Sequence, residues 1–236
     1  AGLTFLIALA GFALGALFGA LAATAKLSRS RFARGTADIY TTVLRGIPDL
    51  LVIYLFYFGG SAALSSIAAL FGYTGFVGMP AFMTAALAIG IVNGAYQAEV
   101  LRGAYLAIPK GELEAAKACG MSGWIRLRRI IVPQVLRFAL PGLGNVWQLV
   151  LKESALVAVI GLTVHLPAID VFQLFTIPEV RFNDLLRQAH VAAGSTRLPF
   201  IFYLTAGVFY LLLTTLSQVF FQRPLLGALE EDLGKR

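Results

Sequence analysis

Lys152 and Glu153 stand side by side in a stretch that is otherwise almost wholly apolar. Charges at membrane depth are costly and persist where they face a bundle interior or an aqueous cavity. Asn145, Gln148 and Lys152 fall at i, i+3 and i+7, so on a helix they form one polar stripe. Neighbours at i and i+1 point about 100° apart on a helix, so Lys152 and Glu153 cannot satisfy each other well and each needs another partner. A zwitterionic solute offers one carboxylate and one ammonium and would meet both needs, with Glu153 answering the cationic group. Bonds across a subunit interface, or to the helix backbone, would meet them equally.

A second polar face comes from Asn93, Tyr96 and Gln97, with Asn93 and Gln97 as i, i+4 neighbours; it could line the same path. Glu99 fits better as the partner of Arg102 at i+3. Arg45, Gly46 and Pro48 read as a gate or hinge at the inner entrance of a span, Pro48 ending any helix before it, or as a plain loop-to-helix junction. No phosphate-binding glycine loop, nucleophile elbow or zinc-protease motif is present, so no catalytic residue is expected here and any ATP is hydrolysed elsewhere. Cys119 is the only cysteine, His165 and His190 are isolated, and no Cys/His cluster has metal-ligand spacing.

The elements that must position these residues follow from composition. The 236 residues are 58% hydrophobic and 13% charged, with mean hydropathy +0.81, which is the signature of a chain dissolved in lipid. A spanning helix needs roughly 20 apolar residues, and windows 2–24, 50–71, 79–101, 138–162 and 199–221 supply five. The fourth is interrupted by Lys152 and Glu153, and 38–49 reads as a mixed polar and apolar approach to the second. The first window reads as a retained span and not a cleaved signal, because its basic residues follow it.

Lys26, Arg29, Arg31, Arg34 and Arg45 follow the first window, and seven Lys and Arg from Arg102 to Arg137 follow the third, so both segments belong in the cytoplasm. The connection 58–78 has no charge, and 163–198 balances its few; both belong outside. The expectation is an all-α, polytopic, single-domain chain over 1–236 with about five spans, N-terminus outside and C-terminus cytoplasmic. The net charge of +7 then faces lipid headgroups and calls for no nucleic acid. Counted from Arg137, Lys152 lies about 22 Å into the fourth span, past the midplane.

The loop 102–137 is too long for a tight connection. Pro109 and Gly111 punctuate its start, Glu112 to Cys119 is a run of helix formers closed by Gly120, and a second amphipathic piece, Trp124 to Val132, is expected to end at Pro133. Glu114, Ala115 and Ala116, followed by Gly120 and then Ile130, Ile131, Val132 and Pro133, resemble the cytoplasmic loop signature of bacterial ABC importer permeases. Val132 stands where that family usually has Leu. Leu44 to Pro48, Asn93 to Glu99, Arg102-Gly103 and Lys152 to Leu156 resemble the polar amino-acid permeases, closest to those for histidine, lysine, arginine and ornithine and to the opine permeases.

The resemblance implies a type I importer permease fold in the bacterial inner membrane. It implies that the short helix docks in a cleft of an ATPase subunit, with Glu114 offering a charge-assisted hydrogen bond, Ala115 and Ala116 allowing close approach, and Gly120, Ile130 and Pro133 completing the coupling loop. It further implies a similar but non-identical second permease subunit, two ATPase subunits that carry ATP and Mg, and a soluble binding protein outside. No cofactor is expected on this chain itself. The outer segment between Gly161 and Asp184 is some twenty residues longer than the family pattern, and its apolar stretch Val164 to Ile177 is too short to span. It reads as an interfacial or re-entrant piece where the binding protein docks, or as simple packing against the bundle. An ion- or proton-coupled secondary transporter is the competing reading; it would explain Lys152 and Glu153 but leaves the loop signature without a role.

Overall fold

A computed structural model describes residues 2–73, 75, 81–156, 185–196, 198–217 and 219, and every regular element among them is helical. α1 (Gly2–Lys26) and α5 (Ala81–Leu106) lie side by side and, with α8 (Val132–Glu153), enclose the core. Between α1 and α5 come α2 (Arg31–Gly46), α3 (Asp49–Tyr54) and α4 (Gly60–Leu70), the last two joined by a wide π-helical turn over Leu55–Gly59. α6 (Lys110–Ala118) and α7 (Gly123–Arg126) fill the long loop, and α9 (Leu185–Thr196) and α10 (Pro199–Ser217) pack as a hairpin near the end.

The α1–α5 contact explains the high glycine content of the first helix. A Cβ on Gly15 would come within 2.8 Å of the Gln97 amide nitrogen, and one on Gly19 within 3.1 Å of α5 backbone at Gly94 and Ala98. Only glycine lets the two backbones approach this closely. Around that seam Ile7, Ala8, Ala85, Ile89, Val146, Val150 and Leu151 are buried. Phe5 and Phe12 meet Trp147 edge-on at centroid distances of 5.7 and 5.4 Å. The Trp147 indole N–H donates to Ser217 Oγ, which ties α10 to α8.

Three described helical stretches are long and apolar enough to cross a membrane: Thr4–Lys26, Asp49–Leu70 and Pro199–Ser217. They coincide with the first, second and fifth sequence windows. α5 and α8 are of spanning length, at 26 and 22 residues, and carry the polar residues.

Two expectations need correction. Residues 31–46, part of which read as a mixed approach to the membrane, form a full amphipathic helix. Ser30 caps it by accepting from the Ala33 N–H at 3.3 Å, Ala37 and Thr41 are buried, and Tyr40 donates to the Ile91 carbonyl at 2.6 Å. The second concerns Pro133, which was expected to end a helix. The chain instead stays helical from Gly123 to Glu153, through a π-helical turn at Leu127–Ile131 that sits just ahead of Pro133. Proline is tolerated in a first helical turn, and a π-bulge absorbs the break in hydrogen bonding. Residues 157–162 of the fourth window, the outer stretch 163–184 with His165, and the tail 223–236 lie outside the described residues.

Candidate functional site

The polar residues of α5 and α8 meet beside the start of α3. Asn93 on α5 is fully buried; its amide N–H2 donates to the Ile89 carbonyl at 3.0 Å and to Glu153 Oε2 at the end of α8. Glu153 is 4% exposed, and the carboxyl of Asp49, the first residue of α3, lies against it. Tyr96 stands one helical turn along from Asn93, and the Arg45 guanidinium sits over its ring, 5.3 Å from the centroid. Ile47 is extended and Pro48 caps α3, so the chain turns between Arg45 and Asp49 and brings both ends of that turn to the cluster. Gly46, the last residue of α2, is exposed at this turn.

Lys152 and Glu153 diverge as their spacing requires. Glu153 turns inward, while Lys152 is exposed in a groove of about 360 Å³ that Tyr96, Asn145, Gln148 and Leu149 also line. Four buried polar atoms of the described residues have no hydrogen-bond partner: Asn93 Oδ1, Glu153 Oε1, Gln148 Nε2 and Gln97 Oε1. Of these, the first two are acceptors in the cluster with Asp49, and the third is a donor beside Lys152. Buried polar atoms left unpaired cost free energy and mark places where a ligand or partner completes the bonding.

Gln97 departs from its expected place. It is fully buried, donates to the Phe12 carbonyl at 3.2 Å, and packs beneath Gly15 and Gly19, so it belongs to the α1–α5 seam and not to the groove. Glu99 accepts from Arg102 Nε at 2.9 Å, as its spacing suggested, and also from Lys26. Asp49 was missed by sequence reasoning. The signal was available: it is an acidic residue in the first turn after a proline, at the mouth of an apolar run. His190 Nδ1 lies 2.7 Å from the Tyr203 hydroxyl, across the α9–α10 hairpin. Among the described residues no group of three or more His, Cys, Asp or Glu is placed to hold a metal.

The loop between α5 and α8 is compact. Ala116 is 3% exposed and packs inward, while Glu114 and Ala115 face out. Gly120 has φ +71°, its N–H bonds to the Lys117 carbonyl at 2.9 Å, and the Met121 N–H reaches back to the Ala116 carbonyl at 3.1 Å. This is the Schellman arrangement, in which glycine ends a helix in the left-handed region. Gln134, one residue past Pro133, donates to Glu112 and so fastens α6 to the start of α8. Ile130 is half-buried at that junction. The outcome is a short exposed helix, closed by Gly120, that connects the two long helices carrying the polar cluster.

The chain is similar over most of its length to known transport components. Residues 15–223 match the family described as binding-protein-dependent transport system inner membrane component. The chain is 55% identical over 219 residues to the octopine transport system permease protein of Rhizobium radiobacter, covering 92% of this chain and 84% of that one. It is 35% identical over 214 residues to the histidine/lysine/arginine/ornithine transport system permease protein of Escherichia coli, covering 91% and 85%. A crystal structure of an amino acid ABC transporter with histidines superposes with a TM-score of 0.68 at 30% identity, over 93% of this chain and 90% of that one.

Proposed function

The chain belongs to the family of binding-protein-dependent transport system inner membrane components, and from that premise we propose that it forms one half of the path of an ATP-driven importer for amino acids with a cationic side chain. The observation that carries this reading is the sorting of unpaired polar atoms by sign. Donors without partners, Gln148 Nε2 and the ammonium of Lys152, line the groove, and Lys152 has no ion pair among the described residues. Of the acceptors without partners, Asn93 Oδ1 and Glu153 Oε1 lie with Asp49, while Gln97 Oε1 is enclosed in the α1–α5 seam. A solute with a carboxylate at one end and a cation at the other satisfies both sets. Its carboxylate meets Lys152, Gln148 and Asn145, and its cation meets Glu153 and Asp49, over the face of Tyr96.

Arg45 adds a second cation beside Tyr96. Octopine is an arginine derivative with two carboxylates and a guanidinium, so the same site suits that kind of solute as well as arginine, lysine, ornithine or histidine. Arg45, Gly46 and Pro48 act as a hinge where α2 turns into α3, and the short helix α6 is the coupling element that docks on an ATPase. ATP and Mg belong to two such partner subunits, a soluble binding protein delivers the solute from outside, and a similar but non-identical permease closes the groove. α1, α3 with α4, α5, α8 and α10 are the five spans in the inner membrane, and alternating access follows when ATPase closure draws α6 inward.

The test is uptake of arginine, octopine and glutamine by proteoliposomes holding the full assembly, with wild type and Glu153→Gln. A variant that loses the cationic solutes while its residual activity favours glutamine supports the assignment. An unchanged ranking of the three removes Glu153 from the site.

A further inference from the structure

Away from the groove, at the end of the bundle that leads into the coupling loop, four charged side chains form a continuous run of ion pairs. Lys26, the last residue of α1, places its ammonium 3.0 Å from Asp38 Oδ1 on α2 and closer still to Glu99 Oε1 on α5. Glu99 in turn accepts through Oε2 from Arg102, whose Nε and Nη2 both lie 2.9 Å away. The four charges alternate in sign and sum to zero. Their exposure is uneven: the side chain of Lys26 is 9% exposed and that of Glu99 22%, against 62% for Asp38. The Lys26–Glu99 pair is therefore shielded from the solvent screening that weakens surface ion pairs, and removal of one partner leaves a charge poorly solvated.

The position of this run matters as much as its composition. Arg102 lies one turn before the end of α5 at Leu106, and only Ala107 to Pro109 separate that end from α6. The seam between α1 and α5 above it is interlocked, with Ile89 and Gln97 of α5 and Leu14 of α1 each seated against a glycine of the facing helix, so α1 and α5 already move together. The ion pairs at the end of that seam add α2 to the same body through Asp38. Resting on the reading of α6 as the coupling element, we propose that Lys26 and Glu99 are positioning residues that tie α2 to α1 and the end of α5, so that a displacement of α6 moves all three helices as one body. The pair touches no solute; it acts on how much transport each ATP yields.

The experiment compares wild type, Lys26→Met, Lys26→Arg and Glu99→Gln in the complete assembly in proteoliposomes, reading arginine moved per ATP hydrolysed alongside the melting temperature of the complex. Lys26→Met and Glu99→Gln are expected to hydrolyse ATP while moving about tenfold less solute per ATP, the size of a typical coupling between distant sites. Their double variant should be no worse than either alone, because both remove the same pair. Lys26→Arg, which keeps the charge, should restore most of the ratio. A ratio equal to wild type in Lys26→Met, or a defect confined to melting temperature or assembly with the ratio intact in the complex that survives, overturns the proposal. The wild-type arm speaks separately to the importer reading, since absence of ATP-dependent uptake there removes that reading first.

Discussion

At the scale of single residues, adjacent Lys152 and Glu153 take opposite environments, and their substitution should separate two kinds of recognition. Every amino acid has an α-carboxylate, so Lys152→Met should weaken all substrates alike. Only some have a cationic side chain, so Glu153→Gln should weaken those selectively. A hydrogen bond to a charged group contributes about 1.5–3 kcal/mol, which corresponds to roughly a ten- to hundredfold rise in half-saturating concentration. Competition assays with arginine and glutamine against both variants check this, and a common loss in both variants would contradict the division of labour. Much of the site was legible at this scale, because polar residues at helical spacing in an apolar window announce themselves. Asn93, Tyr96, Gln148, Lys152 and Glu153 do converge. Gln97 does not, because a helix with polar residues at i and i+4 can send one to each neighbour when a glycine on the facing helix makes room.

At the scale of elements, the α1–α5 seam and the α6 terminus each rest on a glycine for a different reason. Gly15 is needed for space: a leucine there must displace Gln97 and the α5 backbone, and overpacking of this kind costs about 1–3 kcal/mol. Gly15→Leu should lower the melting temperature of the assembled complex by several degrees, as followed by thermal denaturation in detergent. Gly120 is needed for its backbone. A side chain at φ +71° costs about 1–2 kcal/mol, yet a Cβ there meets nothing within 4 Å, so the fold tolerates it. Gly120→Arg should leave the chain folded and inserted while it redirects the exit of α6 and disturbs docking. Loss of ATPase co-purification, with near-normal melting of the permease, is the expected result. The amphipathic α2 escaped the hydropathy argument because its lipid-like face is only one side of a helix containing four charged residues. Ser30 ahead of it, and Ala37, Tyr40 and Thr41 on one face, were the cues that capping and periodicity offered.

At the scale of the whole molecule, five windows, a basic inner loop and a motif within it were enough to predict an all-helical permease, and the fold and the family bear that reading out. What composition could not supply was the way α2, Pro48 and Asp49 fold back onto the middle of α5 and the end of α8, since that depends on tertiary packing of segments with little hydrophobic signal of their own. The polar cluster is built on α5 and α8, and the exposed helix α6 lies between those two helices in the chain, so the proposed coupling element is connected directly to both. The most direct test is uptake of radiolabelled arginine into proteoliposomes containing the complete assembly, with and without ATP on the ATPase side and with ion gradients collapsed, for wild type and Gly120→Arg. Uptake that requires ATP, survives collapse of the gradients and disappears in Gly120→Arg is the result expected here; uptake that follows an ion gradient regardless of ATP would contradict it.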